Sequence, residues 1–450
     1  MLENILYLHC HDGGREIAPC GAGIATPALT RLAAQGMLFT NAHCVCPTCS
    51  PSRAALLTGQ APHRVGMYGL AHRGWRLNDY RMHLARFLRD HGWYTALCGI
   101  QHEAHEPFAA PSELGYAEHF ESKDSNVTAD RAVAFLSSSP KKPFFLSVGF
   151  FAPHRGGRDP SGFPIEPGAA HTPPARLPED VSATDATRGD YAAFAASMQD
   201  TDRHMGRVLD ALDAAGLAEN TLVIATTDHG IPFPGRKCSL RDDGTGVFLI
   251  LRGPGGFSGG KTSAAMVSHL DVFPTICDLA GLTPPHALEG ASLRPLAANP
   301  AATLHDTLYG EVTYHAAVEP KRSVRTADWK YIRNFFATPG SPLPNCDDSP
   351  CKRRRYDEGW FDTHPDGPEE LYDLRADPAE QTNRARRHET TVTLNELRAK
   401  LDARMRATND PLLAGAPPAI PAGGWTTPPD AYSPEGGWPA NLPRRKGAAA

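Results

Sequence analysis

The sequence predicts an α/β protein with a central, mainly parallel β-sheet covered by helices, followed by a smaller C-terminal α+β subdomain. Short apolar segments with the character of buried strands alternate with segments of helical periodicity up to about residue 280. Such alternation is typical of parallel sheets that are covered on both faces. The 450 residues, of which 41% are hydrophobic, are enough to bury a sizeable core.

The elements follow in order from their apolar patterns. We predict strands over residues 4–8, 93–98, 143–148, 221–225 and 247–251. We predict helices that start at residue 27 and that cover residues 82–91, 129–136 and 190–215. Thr26 and Pro27 support the first of these helices, because threonine caps helices and proline fits the first helical position.

The pattern changes past about residue 300. Residues 322–335 are predicted to form an exposed antiparallel strand pair, and residues 389–406 a closing helix. Residues 411–450 hold nine prolines and six glycines without periodicity, so this tail is predicted to be extended over the surface or disordered. We therefore divide the chain into a main domain over residues 1–300, an α+β subdomain over residues 301–410, and the tail.

Composition and charge exclude several classes of protein. The formal net charge of −5 excludes a globally basic nucleic-acid binder. No stretch approaches the roughly 18 apolar residues that a membrane-spanning helix needs. The first strand begins close to the start without the features of a signal peptide, and the ten cysteines have irregular spacing. These observations favour a cytoplasmic protein with reduced thiols.

Polar residues cluster where four of the predicted strands end. They are His9, His11 and Asp12 after the first strand, His102 and Glu103 after the second, His154 after the third, and Asp228 and His229 after the fourth. Any one cluster alone would fit solvated loop residues. Because ligands of open α/β sheets collect at the carboxyl ends of strands, four clusters there indicate a shared site. Oxygen atoms of Asp12 and Asp228, with a nitrogen of His229, suit a divalent cation.

The segment from Cys49 to Gly59 reads C-S-P-S-R-A-A-L-L-T-G. It resembles the signature of the type I sulfatases, C-x-P-S-R followed by an apolar stretch and T-G, with every fixed position present. The resemblance implies an alkaline-phosphatase-like fold. It extends to about residue 408 and includes L-Y-D-L-x-x-D-P-x-E-x-x-N at residues 371–383. Within the family, H-D-G-G at residues 11–14 and G-M-Y-G-L at residues 66–70 look most like the heparan N-sulfatase (sulfamidase) branch.

The resemblance implies a mechanism and a set of site residues. In this family a formylglycine-generating enzyme oxidises the motif cysteine to formylglycine, whose hydrated aldehyde attacks sulfur. The matching catalytic residues are Cys49, Arg53, His102, His154 and Lys237. The matching metal ligands are His11, Asp12, Asp228 and His229, with modified Cys49 as a further ligand. The family usually holds one calcium ion, and we expect one divalent metal ion here, calcium in the first place with manganese or zinc as the alternatives.

Two residues depart from the family pattern. His11 replaces the first of two paired aspartates, and a neutral imidazole favours manganese or zinc over calcium. Ile100 replaces a lysine of the family's G-K-x-H motif, so one sulfate-binding cation is missing unless Ile100 simply packs under the sheet end. Arg15, Arg155 or Arg158 could supply this charge from another direction.

Several other features fit structural roles. The basic run at residues 352–355 is predicted as a solvated loop, with contact to an anionic substrate as the alternative. Cys346 and Cys351 are close enough in sequence for a disulfide, but a reducing compartment favours free thiols. Trp425 and Trp438 are predicted to anchor the tail in a groove, the alternative being the cleft of a second subunit.

We therefore predict a sulfatase-like hydrolase that cleaves a sulfate ester or sulfamate of a small anionic substrate, a sulfated sugar or an aryl sulfate. A phosphonate monoester or phosphodiester hydrolase of the same superfamily is the alternative enzyme, because those relatives share the nucleophile motif. A catalytically inactive binding relative is the alternative outside enzymes, and the intact nucleophile motif disfavours it. Neither nucleic acid nor a membrane is an expected partner, and a homo-oligomer stays open.

Overall fold

The computed structural model describes residues 2–138, 143–156, 161–174, 177, 183–285, 287–335, 340–363, 367–439 and 442. Two β-sheets organise these residues. The larger sheet contains β1 (Asn4–Cys10), β2 (Met37–His43), β3 (Tyr94–Gly99), β4 (Glu118–Phe120), β5 (Phe144–Phe150), β6 (Thr221–Thr227), β7 (Gly246–Arg252), β8 (Lys261–Ser263) and β9 (Val267–Ser268). The smaller sheet contains β10 (Leu308–Tyr314), β11 (Val318–Arg325), β12 (Trp329–Asn334) and β13 (Glu369–Asp373).

The larger sheet is mainly parallel, which confirms the prediction. Its spatial order is β4-β3-β5-β1-β6-β7-β2-β8, with β9 also paired to β2. The five strands from β4 to β6 are parallel, whereas β7 is antiparallel to both β6 and β2. All five predicted strands are present. The prediction missed β2, β4, β8 and β9, which are short or interrupted by polar residues.

Helices cover both faces of the larger sheet. The helices are α1 (Pro27–Gln35), α2 (Cys49–Thr58), α3 (Pro62–Val65), α4 (Leu84–Asp90), α5 (Ser125–Ser137), α6 (Asp185–Ala214), α7 (Asp242–Thr245), α8 (Val272–Ala280), α9 (Arg294–Ala298), α10 (Pro350–Asp357), α11 (Trp360–Thr363) and α12 (Thr391–Ala407). Alternate residues of β1 point to opposite faces, as the pleat requires. Ile5 and Tyr7 join an apolar cluster with α2, α4 and α8, whereas Leu6 and Leu8 join one with α1, α5 and α6.

The smaller sheet is antiparallel throughout, and helix α12 packs against it. Leu394, Leu397 and Leu401 of α12 contact Val324 and Tyr331 in one apolar cluster. The predicted closing helix is therefore confirmed. The predicted strand pair is present as β11 and β12, but its exposure was wrong, because β10 and β13 flank the pair and α12 covers it. The division of the chain at residue 300 stays a prediction.

The basic run at residues 352–355 lies in helix α10, so the prediction of a solvated loop was wrong. Lys352 is buried, and its Nζ donates to the backbone carbonyls of Cys346 and Tyr432 at 2.7 Å each. The same amine pairs with Asp348 at 2.7 Å. These three bonds tie the tail to the segment before α10, and they leave Lys352 with a structural role.

The described part of the tail runs across the surface and is held by aromatic side chains. The Arg73 guanidinium lies 3.7 Å from the centroid of the Trp425 ring, and Trp438 packs against Tyr356 and Tyr432. All ten cysteines are free, including Cys346 and Cys351. In the described residues, no helix has the length and apolar character needed to cross a membrane.

Candidate active site

Asp12 and Asp228 follow neighbouring strands and meet at the carboxyl edge of the sheet. Strands β1 and β6 pair in parallel with Cys10 opposite Thr227, so the residues after them lie side by side. The Asp12 amide donates to Oδ1 of Asp228 at 2.8 Å. Asp12 has a φ of 51°, a left-handed conformation that aspartate tolerates better than most residues. Both carboxylates are buried.

Cys49 is the first residue of helix α2, all of whose residues are buried. Its Sγ lies 3.4 Å from Nε2 of His229. Burial raises the pKa of the Cys49 thiol well above its ordinary value. The unmodified side chain is therefore a neutral thiol at neutral pH, which is a poor nucleophile.

His229 turns one defined nitrogen toward Cys49 and Asp12. Its Nδ1 lies 2.9 Å from the backbone carbonyl of Gly230. Because a carbonyl oxygen can only accept a hydrogen bond, this contact assigns a proton to Nδ1 and leaves Nε2 as the nitrogen that a cation would bind. Nε2 lies 3.3 Å from Oδ1 of Asp12.

Among the described residues, Nδ1 of His11 and Oδ1 of Asp12 are buried polar atoms of the site without a hydrogen-bond partner. Nδ1 of His11 lies 2.9 Å from Oδ2 of Asp228, but without hydrogen-bond geometry. One ligand atom from each of His11, Asp12, Cys49 and Asp228 lies within 4.8 Å of the others. Unpaired buried polar atoms are unfavourable by themselves, and converging carboxylate and imidazole atoms suit a cation. These residues therefore fit one divalent ion.

Arg53 lies one turn after Cys49 and holds Asp228. Its Nη2 donates to Oδ2 of Asp228 at 3.0 Å, and its Nη1 lies 2.7 Å from Nδ1 of His9. Burial alone would raise the pKa of Asp228, but His229 and Arg53 hold it well below its usual value. Asp228 is therefore a carboxylate, and Arg53 acts by orienting it, because the guanidinium bonds to Asp228 rather than to the Cys49 side chain.

Lys237 lies between the cation ligands and a further carboxylate. Its Nζ is 3.2 Å from Oδ2 of Asp12, 3.0 Å from Oδ2 of Asp347 and 3.4 Å from Nε2 of His154. Burial alone would lower the pKa of Lys237, but Asp12 and Asp347 hold it well above its usual value. Lys237 is thus a permanent ammonium beside the site.

His154 and His102 line the same edge as neutral rings. Nδ1 of His154 is 2.5 Å from the backbone carbonyl of Arg155, which directs its other nitrogen at Lys237. Burial lowers the pKa of both His154 and His102. The centroid of the His102 ring lies 5.8 Å from that of His11, and its Nε2 is 3.0 Å from Nδ1 of His72.

The structure brings the sequence-predicted site residues together at one edge of the larger sheet. Neither Arg15 nor Arg155 supplies the charge missing at Ile100. Arg15 donates to the backbone carbonyl of Ala42, and Arg155 is paired with Asp190 at 2.7 Å. Ile100 is buried directly after β3, and Arg158 lies outside the described residues.

Three residues of the site escaped prediction: His72, His315 and Asp347. They lie in a 3₁₀ turn, in the turn between β10 and β11, and in the segment before α10. Burial lowers the pKa of His315 well below its usual value, as does Lys237, and Nδ1 of His315 is unpaired. No strand-end pattern marks these residues, because tertiary packing alone brings their turns to the sheet edge.

Carboxylates and imidazoles that fit a cation, a cysteine at a helix start and a buried lysine meet at one edge of the sheet, an arrangement that suits a hydrolase of anionic esters. Comparison with known proteins identifies the family. A family model named Sulfatase matches residues 17–282, and a model of the C-terminal part of N-sulphoglucosamine sulphohydrolase matches residues 236–350. The chain belongs to the sulfatase family, and its class of activity is sulfuric ester hydrolysis.

Relatives resemble the chain over nearly its whole length. N-sulphoglucosamine sulphohydrolase of Homo sapiens is 33% identical over 91% of this chain and 91% of its own length. A delta 4,5-hexuronate-2-O-sulfatase of Bacteroides thetaiotaomicron is 27% identical over 90% of this chain and 89% of its own length.

Solved structures confirm the alkaline-phosphatase-like fold. The structure of a 2-O GAG sulfatase has a TM-score of 0.71 at 23% identity and covers 93% of this chain and 95% of its own. A structure in complex with D-glucosamine-2-N,6-O-disulfate has a TM-score of 0.70 at 20% identity and covers 91% of this chain and 99% of its own.

Proposed function

We propose that this protein hydrolyses a sulfate ester or sulfamate of a small sugar, with a formylglycine formed from Cys49 as the nucleophile. The position of Cys49 carries the proposal. It starts a buried helix, within 3.4 Å of Nε2 of His229 and among the converging cation ligands. A neutral thiol there is a poor nucleophile, which supports conversion by a formylglycine-generating enzyme. Ten free cysteines support a reducing, cytoplasmic location.

His11, Asp12, Asp228 and His229 would hold the divalent cation, together with the residue at position 49. When bound, the cation would lower the pKa of the nucleophile's hydroxyl and oppose the charge of a sulfate oxygen. Calcium prefers ligand sets made of oxygen atoms, whereas two imidazoles beside two carboxylates favour manganese or zinc. We therefore extend the proposal to manganese or zinc as the ion that gives the higher turnover.

The protein's own groups divide the remaining work. Arg53 keeps Asp228 ionised and oriented through the bond at 3.0 Å. Nζ of Lys237 stays an ammonium and opposes the negative charge of the bound anion. Nε2 of His154 lies 3.4 Å from that amine and, as the unprotonated nitrogen of a neutral ring, can accept a proton there. The Lys237 side chain is 2% exposed, so water screens its charge little, whereas the His154 side chain is 24% exposed.

The charges of the site favour a monoanion. The directly linked side chains contain three carboxylates, Asp12, Asp228 and Asp347, and two cations, Arg53 and Lys237. Burial lowers the pKa of His11 to about 3 and keeps His154 and His102 neutral as well. With one divalent cation, the formal charge of this set becomes +1. A sulfate monoester or a sulfamate carries one negative charge and balances it, whereas a phosphate monoester dianion would exceed it.

A panel of substrates tests the proposal. Protein co-expressed with a formylglycine-generating enzyme is assayed on an aryl sulfate, a sugar sulfate, a sugar sulfamate, a phosphodiester and a phosphonate monoester. Each substrate is measured with calcium, manganese and zinc, and the Cys49→Ala variant serves as the control. Sulfate release that depends on Cys49 is the expected result. Turnover confined to the phosphodiester or the phosphonate would refute the proposal in favour of phosphoryl chemistry, and no Cys49-dependent turnover would refute both.

A further inference from the structure

Asp347 lies on the solvent side of Lys237. Nζ of Lys237 donates to Oδ2 of Asp347 at 3.0 Å and lies 3.2 Å from Oδ2 of Asp12. The Asp12 side chain is fully buried, that of Lys237 is 2% exposed, and that of Asp347 is 14% exposed. Exposure therefore rises from Asp12 through Lys237 to Asp347. When the sulfuryl group of a substrate reaches the cation ligands, a leaving group that points toward solvent can lie beside Asp347.

The Asp347 carboxylate has acceptor capacity to spare. Within the described ranges, Lys237 is the one hydrogen-bond donor to this side chain, and the bond uses Oδ2. An ionised carboxylate has room for about four such bonds, so Oδ1 can accept from a ligand. Lys237 is also neutralised without Asp347, because Asp12 contacts the same amine. The second carboxylate therefore does more than balance the lysine.

The chain around Asp347 is rigid, which a recognition group requires. The carbonyl of the preceding residue, Cys346, accepts from the buried Lys352 at 2.7 Å. The side chain of Asn345 accepts from the Ala317 amide at 2.7 Å and donates to Glu319 at 2.8 Å. These bonds fix the backbone on the N-terminal side of Asp347 before any substrate arrives.

A carboxylate at this position selects between the two bonds that a sulfatase can cleave. Hydrolysis of an S–O bond releases an alcohol, whereas hydrolysis of an S–N bond leaves the electron pair on nitrogen, which takes up a proton. The amine product is an ammonium near neutral pH. A carboxylate accepts from the substrate N–H, and it attracts the positive charge that develops on nitrogen as the bond breaks.

We infer that Asp347 is the specificity-determining residue that makes this site prefer sulfamates over sulfate esters. The inference rests on the proposed hydrolase function and names the class of substrate. The inference also gives a reason for a carboxylate at the exposed side of a site that binds anions. Asp347 would repel an anionic leaving group, and it would not repel an amino sugar.

A matched pair of substrates tests the inference, namely glucosamine N-sulfate and glucose 2-sulfate, which differ in the leaving atom at carbon 2. Asp347→Asn should lower kcat/KM for the N-sulfate by about 10- to 100-fold, the usual effect of losing a hydrogen bond to a charged group. It should change kcat/KM for the 2-sulfate by less than about threefold. Asp357→Asn is the control, because it removes the same charge from an exposed side chain of α10 that pairs with Arg353. An equal loss on both substrates would reduce Asp347 to a counterion of Lys237 and overturn the inference.

Binding of the products separates this inference from the proposed function. Glucosamine and glucose are titrated into the metal-loaded wild-type protein and into Asp347→Asn by calorimetry. We expect wild-type protein to bind glucosamine more tightly than glucose and the variant to lose that preference. Equal affinities in the wild-type protein would overturn the inference even if both sulfates are hydrolysed. If neither sulfate is hydrolysed but the preference exists and depends on Asp347, the hydrolase proposal fails, the sulfamate preference falls with it, and only the recognition of the amine by Asp347 stands.

Discussion

Replacement of Asp228 by asparagine should abolish the cation site and weaken the fold around Arg53. The Oδ1 atom of Asp228 accepts from the amides of Asp12 and His229 at 2.8 and 3.0 Å, and asparagine can keep both bonds. Oδ2 lies 3.0 Å from Nη2 of Arg53 and 2.9 Å from Nδ1 of His11. In Asp228→Asn an amide NH₂ would face the guanidinium, donor against donor, and the buried arginine would lose its anion.

The magnitude follows from these contacts. Removing one partner of a buried ion pair lowers the free energy of unfolding by about 3–5 kcal/mol. Because Asp228→Asn keeps the two hydrogen bonds to Oδ1, we expect a loss at the lower end of this range, near 3 kcal/mol. The cation site also falls from two carboxylates to one. At a metal concentration of about 100 times Kd, metal binding raises the free energy of unfolding of the wild-type protein by about 2.7 kcal/mol. In the variant, added metal should raise it by almost nothing.

The assay is chemical unfolding with and without added metal, combined with elemental analysis of the purified protein. Asp202→Asn is the matched control, because Asp202 is a buried carboxylate that accepts from two amides at the start of α1, at 2.8 and 2.9 Å, away from the site. That variant should keep its metal. An Asp228→Asn protein with full metal content and an unchanged stabilisation by metal would refute the assignment of Asp228 as a ligand.

Three further predictions test other parts of the site and fold. Lys237→Ala should lower kcat by about 10²- to 10³-fold with a smaller change in KM, because its charge matters most as the ester bond breaks, and an effect on KM alone would contradict this role. Burial alone would raise the pKa of Glu311. The His63 ring, 2.5 Å away, instead lowers the pKa of this carboxyl group from 4.5 to about 2. The folded pKa lies below the unfolded one, so about 3 kcal/mol of stability is present above pH 4.5 and is lost as the pH falls toward 2. Urea unfolding at pH 5 and 3 should show about 2 kcal/mol of this loss in wild-type protein and not in Glu311→Gln, and parallel losses in both would contradict the pairing. Ile100→Lys should lower the melting temperature because the side chain is buried, and an unchanged melting temperature with higher sulfatase turnover would instead place the new amine at the anion site.

Local patterns in the sequence were sufficient to predict the strands that carry the site. Strands β1, β5 and β6 are fully buried, so each is a continuous apolar run that stands out from its surroundings. The polar residues after these strands could be grouped in advance, because parallel strands end at one edge of a sheet. The motif starting at Cys49 then supplied the chemistry that the periodicity could not.

The parts that could not be predicted depend on contacts between distant segments. Strand β2 contains the half-buried Thr40 and Asn41 and is defined by pairing with β7, which lies about 200 residues later. Lys352 belongs to a charge run that is usually solvated, yet it is buried because three acceptors converge on its amine. Asp347 follows a residue whose carbonyl accepts from that lysine, and no local pattern encodes such an arrangement.

The most direct test of the account is the chemical state of residue 49 in active protein. Preparations with different degrees of co-expression of a formylglycine-generating enzyme are digested with trypsin, and the fragment ending at Arg53 is quantified by mass spectrometry alongside sulfate release. The account predicts that turnover rises in proportion to the fraction of Cys49 converted to formylglycine and extrapolates to zero without conversion. Full activity in protein whose Cys49 is entirely an unmodified thiol would contradict it.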